Sequence, residues 1–281
     1  MRNAIGGMFL IGLGTITAPA LAAPILYSTT GPDAASITTY VNQFRTDLGT
    51  LNANVAGSFG SGRREINWDG VPDARSAPNN LPANFFNVNS PRGAVFNTPG
   101  TGFQTSANAA NPTSTPVEFG NIDPSYPSSF TTFSPQRLFT PLGSNIMDVN
   151  FFVPGSNVAA VTSAFAAVFT DVDAGGTTQI QYFDEWNNLL TTGFAQPLDG
   201  GLSFLGVRFD GGERIARVRI TTGSVALGAG VVDVPGQQDV VAMDDFIYAE
   251  PTANIPEPAT WALFGGGLLA VAIRRVLLSR R

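Results

Sequence analysis

The 281-residue chain has no cysteine, no histidine and no lysine; all 15 of its basic side chains are arginine. Each absence excludes chemistry. Without Cys or His there is no disulfide, no thiol nucleophile, no imidazole triad and no zinc or haem site built on those residues. Without Lys there is neither a Schiff base nor the cation of a Walker-type phosphate loop. Charge is also scarce: charged residues make up 13% of the chain, about half the share in ordinary soluble domains. Asp, Glu, Arg, Tyr and hydroxyls are left to carry any chemistry. Apolar material is ample at 43%, and Gly (31), Pro (20) and Phe (21) are abundant. The length suits one large domain or two small ones. Such a composition predicts a turn-rich chain built from strands rather than long helices.

The two ends differ from the rest. Residues 1–22 place one Arg before a short apolar stretch, then Ala20-Leu21-Ala22, the small-x-small form that signal peptidase reads. The run Ile5 to Ile16 is short for a membrane span. Pro19 and the lack of an amphipathic pattern disfavour a buried helix, so cleavage near Ala22 and export are expected. At the other end, Ala259 to Ile273 carries no charge and Arg274, Arg275, Arg280 and Arg281 follow it. Fifteen helical residues rise about 22 Å, short of the roughly 30 Å hydrocarbon core. Snorkelling arginines make a marginal transmembrane helix feasible over 259–281. The arginines place that end in the cytoplasm, and everything before it outside.

The tail reads Ile255-Pro256-Glu257-Pro258, then the apolar run, then the Arg-rich end beginning at Arg274-Arg275. This arrangement resembles the PEP-CTERM sorting signal of Gram-negative bacteria, with Ile255 where Val is commonest. The resemblance implies recognition by exosortase, a membrane transpeptidase, and cleavage near Pro256-Glu257-Pro258. It implies a transient inner-membrane anchor, then the cell surface or an exopolysaccharide or biofilm matrix. The tripeptide suits a tag: its prolines hold the backbone extended and its Glu presents one charge.

The exported part, 23–258, holds ten arginines against all 21 acids, a net charge of −11. It repels nucleic acid and anionic membrane, so neither is expected as a partner. Without disulfides in an oxidising compartment, stability must come from the core or from ions. Residues 33–48 predict one amphipathic helix with Ile37, Tyr40, Val41, Phe44 and Leu48 at helical spacing, between Gly31-Pro32-Asp33 and Gly49. Residues 57–106 are loop-heavy with short strands near 65–68, 94–97 and 102–105, forming with the helix the region 23–106. Gly60 to Arg64 lacks the strand and helix that would make it a phosphate loop. Trp68, between Asn67 and Asp69, has the composition of a sugar-stacking site or of a buried Trp bracing a loop. The helix and its GRREINWDGVPD continuation are similar to a unit in other secreted bacterial proteins, a likeness that brings no activity. Residues 107–136 read as a surface loop or linker with one short strand at 117–119.

Residues 137–250 are the most regular. Met147/Val149/Phe151/Val153, Phe165/Ala167/Phe169, Ile180/Tyr182, Leu205/Val207/Phe209 and Ala216/Val218/Ile220 alternate along successive segments, Arg217 and Arg219 point outward, and 240–248 closes the series. Period two with Gly-rich turns predicts a mainly β fold, an antiparallel, jelly-roll-like β-sandwich with one N-terminal α-helix. The segments AFAAVFTDVDAGGTTQIQYFDEWNNLL and VVAMDDFIYAEP resemble jelly-roll domains upstream of PEP-CTERM tails, which are similar to carbohydrate-binding modules. A linker, 251–258, leads to the tail.

Hard oxygen donors in a chain without His or Cys suit Ca²⁺. Asp171 and Asp173 share a strand face or are curled together in a loop, and Asp244 and Asp245 on the last strand are expected to join them, with Asp69 if its loop packs nearby. A structural calcium ion is the one cofactor expected; solvated turn carboxylates are the alternative. Trp68, Tyr182 and Trp186 are the candidate polysaccharide contacts, since aromatic faces stack on sugar C–H surfaces. Glycoside hydrolysis is the enzyme class that needs only two carboxylates. Asp184-Glu185 beside Trp186 is the nearest candidate, but strand neighbours point to opposite faces. No catalytic residue is therefore assigned. The expectation is a non-enzymatic surface or matrix protein that binds polysaccharide; a glycosidase or lyase and a purely structural matrix component are the alternatives.

Overall fold

The computed structural model describes residues 23–253. The signal peptide, the Pro-Glu-Pro segment and the expected C-terminal transmembrane helix lie outside the described residues. Among the described residues no helix is long and apolar enough to cross a membrane.

In chain order the elements are β1 (Ile25–Gly31), α1 (Ala34–Leu48), β2 (Arg63–Ile66), α2 (Phe85–Val88), β3 (Ala94–Asn97), β4 (Gly102–Thr105), α3 (Tyr126–Ser129), β5 (Phe139–Leu142), β6 (Ile146–Phe151) and β7 (Ala160–Val161). Then follow β8 (Ala164–Val172), β9 (Gln179–Phe183), β10 (Leu189–Phe194), β11 (Leu198–Arg208), β12 (Arg217–Thr221), β13 (Ala242–Ala249) and β14 (Thr252–Ala253). They form a mainly β, antiparallel sandwich. The larger sheet runs β1-β11-β8-β13-β5-β4, with β2 also on β13; the smaller runs β10-β9-β12-β6-β3.

Alternation sets the layers. Phe165, Ala167 and Phe169 of β8 meet Met147, Val149 and Phe151 of β6 and Val218 and Ile220 of β12 in the main core. The intervening Ala164, Ala166 and Val168 face the other way, onto Ile37, Val41, Phe44 and Leu48 of α1. All nine residues of β8 are therefore buried. The helix starts where Asp33 accepts a 2.9 Å bond from the Ser36 amide and stops at Gly49, whose φ is 90°. Its four buried side chains contribute about 6–12 kcal/mol. Tyr40, assigned above to the apolar stripe, is exposed, because it lies off the line that touches the sheet. Gly206 of β11 lets the helix sit close: a Cβ there would fall 2.7 Å from that of Ala166 and 3.2 Å from the Phe44 ring.

Two strand expectations shift. The segment 117–119 is a turn, since Glu118 and Phe119 have φ of 48° and 62°; only an isolated bridge joins Val117 to Ala107. Trp68 begins a short 3₁₀ turn instead of ending a strand. Residues 107–136 contribute Phe119, Tyr126 and Phe130 to a cluster with Leu138, Leu227 and Val240.

Candidate functional site

Three separated segments meet at one end of the sandwich. Near the end of β8, Asp171 adopts φ of 66°, and the β8–β11 register slips between Leu198 and Leu202. That slip lifts Asp199 and Gly200 out of the ladder. The Gly200 amide donates to Asp171 Oδ1 at 2.8 Å. Asp173 opens the turn into β9. Asp233 comes from the long β12–β13 connection, where its Oδ1 accepts from the Val240 amide at 3.0 Å. One carboxylate oxygen from each of Asp171, Asp173, Asp199 and Asp233 lies within 4.8 Å of the others. Asp239 stands behind them, accepting from the Asp173 amide at 3.1 Å and from the Thr177 hydroxyl.

The electrostatics are unbalanced. Asp171 is 1% exposed, and its Oδ2 has no donor; nor has either oxygen of Asp173. Burial, with the neighbouring carboxylates, pushes Asp171 and Asp173 up to about 7. Burial also raises Asp233, with the charges of Asp239 and Asp199 adding to it. Among the described residues no arginine is ion-paired with any of these five acids. Arginines compensate several acids elsewhere: Glu250 by Arg64 at 2.6 Å, Asp148 by Arg217 at 3.0 Å and Arg219 at 2.8 Å, and the partly buried Glu65 by Arg45 at 2.8 Å. The donor set is all hard oxygen, the type that holds an alkaline-earth cation.

Asp244 and Asp245 do not join this group. They occupy a bulge in β13, where pairing with β8 slips between Met243 and Phe246. Asp244 accepts from the Phe133 and Ser134 amides at 2.7 and 3.2 Å, and Asp245 accepts from the Ser134 hydroxyl at 3.0 Å. Arg45 lies 3.6 Å from Asp245. Burial, then each other's charge, holds Asp244 well above the ordinary carboxylate range; burial pushes Asp245 up to about 6. This pair pins the 130–137 loop onto β13. Asp69 is elsewhere too, accepting from the Gln136 and Arg137 amides at 2.6 and 2.9 Å.

The aromatic candidates separate by exposure. Trp68 is fully buried, stacked on Phe139 at 3.9 Å, with its indole N–H on the Asp244 carbonyl at 2.9 Å. Tyr182 is fully buried as well, its hydroxyl donating to the Phe165 carbonyl at 3.1 Å. Neither presents a face to a glycan, because the main core covers both. Trp186 is 75% exposed at the tip of the β9–β10 hairpin. Asp184 fixes that tip, accepting from the Trp186 and Asn188 amides at 3.0 and 2.7 Å and from the Asn188 side chain at 2.9 Å. Arg217 braces it, lying 3.9 Å over the Phe183 ring and donating to Asn187. Both Asp184 oxygens are engaged in the turn, and Glu185 is exposed. A separate polar cleft of about 290 Å³ opens between Arg208, Asp210, Arg214, Asp47 and Glu250.

Sequence reasoning places Asp171 and Asp173 together but misses Asp199 and Asp233. Each is a lone acid in a Gly- or Pro-containing turn, Leu198-Asp199-Gly200-Gly201 and Val232-Asp233-Val234-Pro235. Nothing local distinguishes such a residue from a solvated turn carboxylate; only strand order brings it to β8.

Residues 254–276 match the family model of the PEP-CTERM protein-sorting motif. They include Pro256, Glu257, Pro258, Arg274 and Arg275 and lie outside the described residues. The motif marks an exported protein of a Gram-negative bacterium that is processed by exosortase. No curated protein and no solved structure gives a significant match.

Proposed function

We propose that this chain is a non-enzymatic surface or matrix protein, delivered by exosortase and binding polysaccharide through the Trp186 hairpin. The match of 254–276 to the sorting motif carries the delivery part of this reading. The tail holds the chain in the inner membrane until it is cut near Pro256-Glu257-Pro258, and the body is released to the surface or the exopolysaccharide matrix. A jelly-roll fold for that body is supported by strand order. Ignoring added strands, the sheets run β5-β13-β8-β11 and β6-β12-β9-β10, the chain alternating between them as two Greek keys do. Polysaccharide binding is supported by an indole left in water on a rigid turn, flanked by the amides of Asn187 and Asn188.

Transplanting 254–281 onto a secreted reporter tests delivery. In a host with exosortase the reporter loses the tail and leaves the membrane; full-length, membrane-held reporter with and without the enzyme overturns the reading. Glycan retention tests the binding. Trp186→Ala is expected to abolish capture of the host exopolysaccharide at an unchanged melting temperature. Unchanged capture, or release of reducing ends during the assay, rejects that half.

A further inference from the structure

We propose that Asp171, Asp173, Asp199 and Asp233 form a calcium site that ties the end of β8, the bulge of β11 and the β12–β13 connection together. The proposal is independent of the sorting reading and rests on three observations. First, the oxygens converge closely enough to share one ion. Ligands on opposite sides of a Ca²⁺ at about 2.4 Å are about 4.8 Å apart, and the four carboxylate oxygens lie within 4.8 Å of one another. Second, Asp171, a member of this cluster, is 1% exposed, and its Oδ2 is buried without a donor. The Gly200 amide serves only Oδ1, and both oxygens of Asp173 in the same cluster are donor-free as well. Third, arginines stand against Glu250 and Asp148 elsewhere in the sandwich, whereas among the described residues none is ion-paired with these four. A buried carboxylate without counter-charge is strongly unfavourable, so an uncompensated group of four calls for an external cation.

The ligand chemistry selects the ion. Four carboxylates drawn from an exposed bulge, a turn and a loop make a pliant, highly charged shell, as Ca²⁺ tolerates. Mg²⁺ demands a rigid octahedron, keeps its waters and is usually held by one or two carboxylates. Zinc and copper prefer the imidazole of His or the thiolate of Cys, neither of which the chain has. The β8–β11 ladder is interrupted at the bulge, where Gly200 bonds Asp171, and the β12–β13 connection is tied to the end of β8 by the bond from the Asp173 amide to Asp239. The ion thus supplies the cross-link that a cysteine-free secreted protein cannot make covalently.

The test is equilibrium dialysis of ⁴⁵Ca²⁺ against the full chain, purified in detergent and stripped with chelator, with and without excess Mg²⁺. One Ca²⁺ per chain that Mg²⁺ does not displace is expected. Asp173→Asn should weaken binding on the order of ten-fold or more, the scale on which even outer-shell changes act. Asp199→Asn, a change at an exposed position, should weaken it as well while leaving the circular dichroism spectrum unaltered. No bound calcium at millimolar concentration overturns the proposal. So does calcium bound by both variants as tightly as by the wild type, or a site filled equally well by Mg²⁺.

Discussion

Asp171→Asn should stabilise the chain in chelator and lose that advantage in calcium. Asparagine is nearly isosteric, tolerates the left-handed backbone of this position (φ 66°) and keeps an oxygen for the Gly200 amide. What it removes is one buried negative charge. Burial raises the Asp171 carboxyl from 3.8 to about 7. Each pKa unit is worth about 1.4 kcal/mol, so ionising this group in the folded chain near neutral pH costs about 4 kcal/mol. Some of that is shared with Asp173, Asp199 and Asp233, whose charges raise it too, which leaves a gain of about 2–4 kcal/mol for Asn in chelator. For a domain of this size that is an increase of about 5–15 °C in melting temperature. Saturating calcium should add about 3 kcal/mol to the wild type at a hundred times its dissociation constant. It should add nothing comparable to the variant. The variant's advantage in chelator therefore disappears in calcium. Differential scanning calorimetry of both proteins in both conditions measures this directly. A variant less stable than wild type in chelator, or an equal calcium shift in both, refutes the reasoning.

Other consequences can be measured with the same protein. Glu250→Ala leaves Arg64, itself fully buried, without its carboxylate; a loss of about 3–5 kcal/mol in the urea midpoint is expected, and a loss below about 1 kcal/mol contradicts the pairing. Gly206→Val forces a side chain between Ala166 and Phe44 and should cost about 1–3 kcal/mol, read as a lower melting temperature. Acid titration in chelator checks the buried pair in β13. Asp245 is raised to about 6 and burial holds Asp244 well above the ordinary carboxylate range, so at this pair the folded state holds protons that the unfolded chain releases above about pH 4. The pair's contribution to stability should therefore be greatest below that pH and fall as pH rises through about 6, Asp245 contributing about 3 kcal/mol; comparison of the wild type with Asp245→Asn isolates it. A profile that rises with pH over this range runs against it.

Local physics explains which parts could be read from sequence. Phe165, Ala167 and Phe169 alternate because one face of β8 meets the sandwich core, and Asp33 and Gly49 bound α1 because helix ends need a cap and a left-handed exit. β1 was not legible: its ILYSTTG sequence shows no clear alternation and only its last residue is buried. It is held by its register on β11, from Ile25–Arg208 to Gly31–Leu202, a pairing across most of the chain. Trp68 looks like a wet aromatic because Asn67 and Asp69 flank it. Those neighbours instead cap the turn and the Gln136–Arg137 backbone, while the indole enters the core. Asp171 and Asp173 were readable as a pair from strand spacing. Asp199 and Asp233 were not, since a bulge and a long connection deliver them, and Asp244 and Asp245 are drawn away by the Ser134 loop.

The central claim is that the C-terminal motif routes this body out of the cell, and intact mass spectrometry of the chain from its host addresses it most directly. With exosortase present, the released protein should lack residues 1–22 and everything following the neighbourhood of Pro256-Glu257-Pro258; with the enzyme deleted, the tail should remain and the chain should stay with the inner membrane. The same tail-bearing mass in both strains would contradict the account.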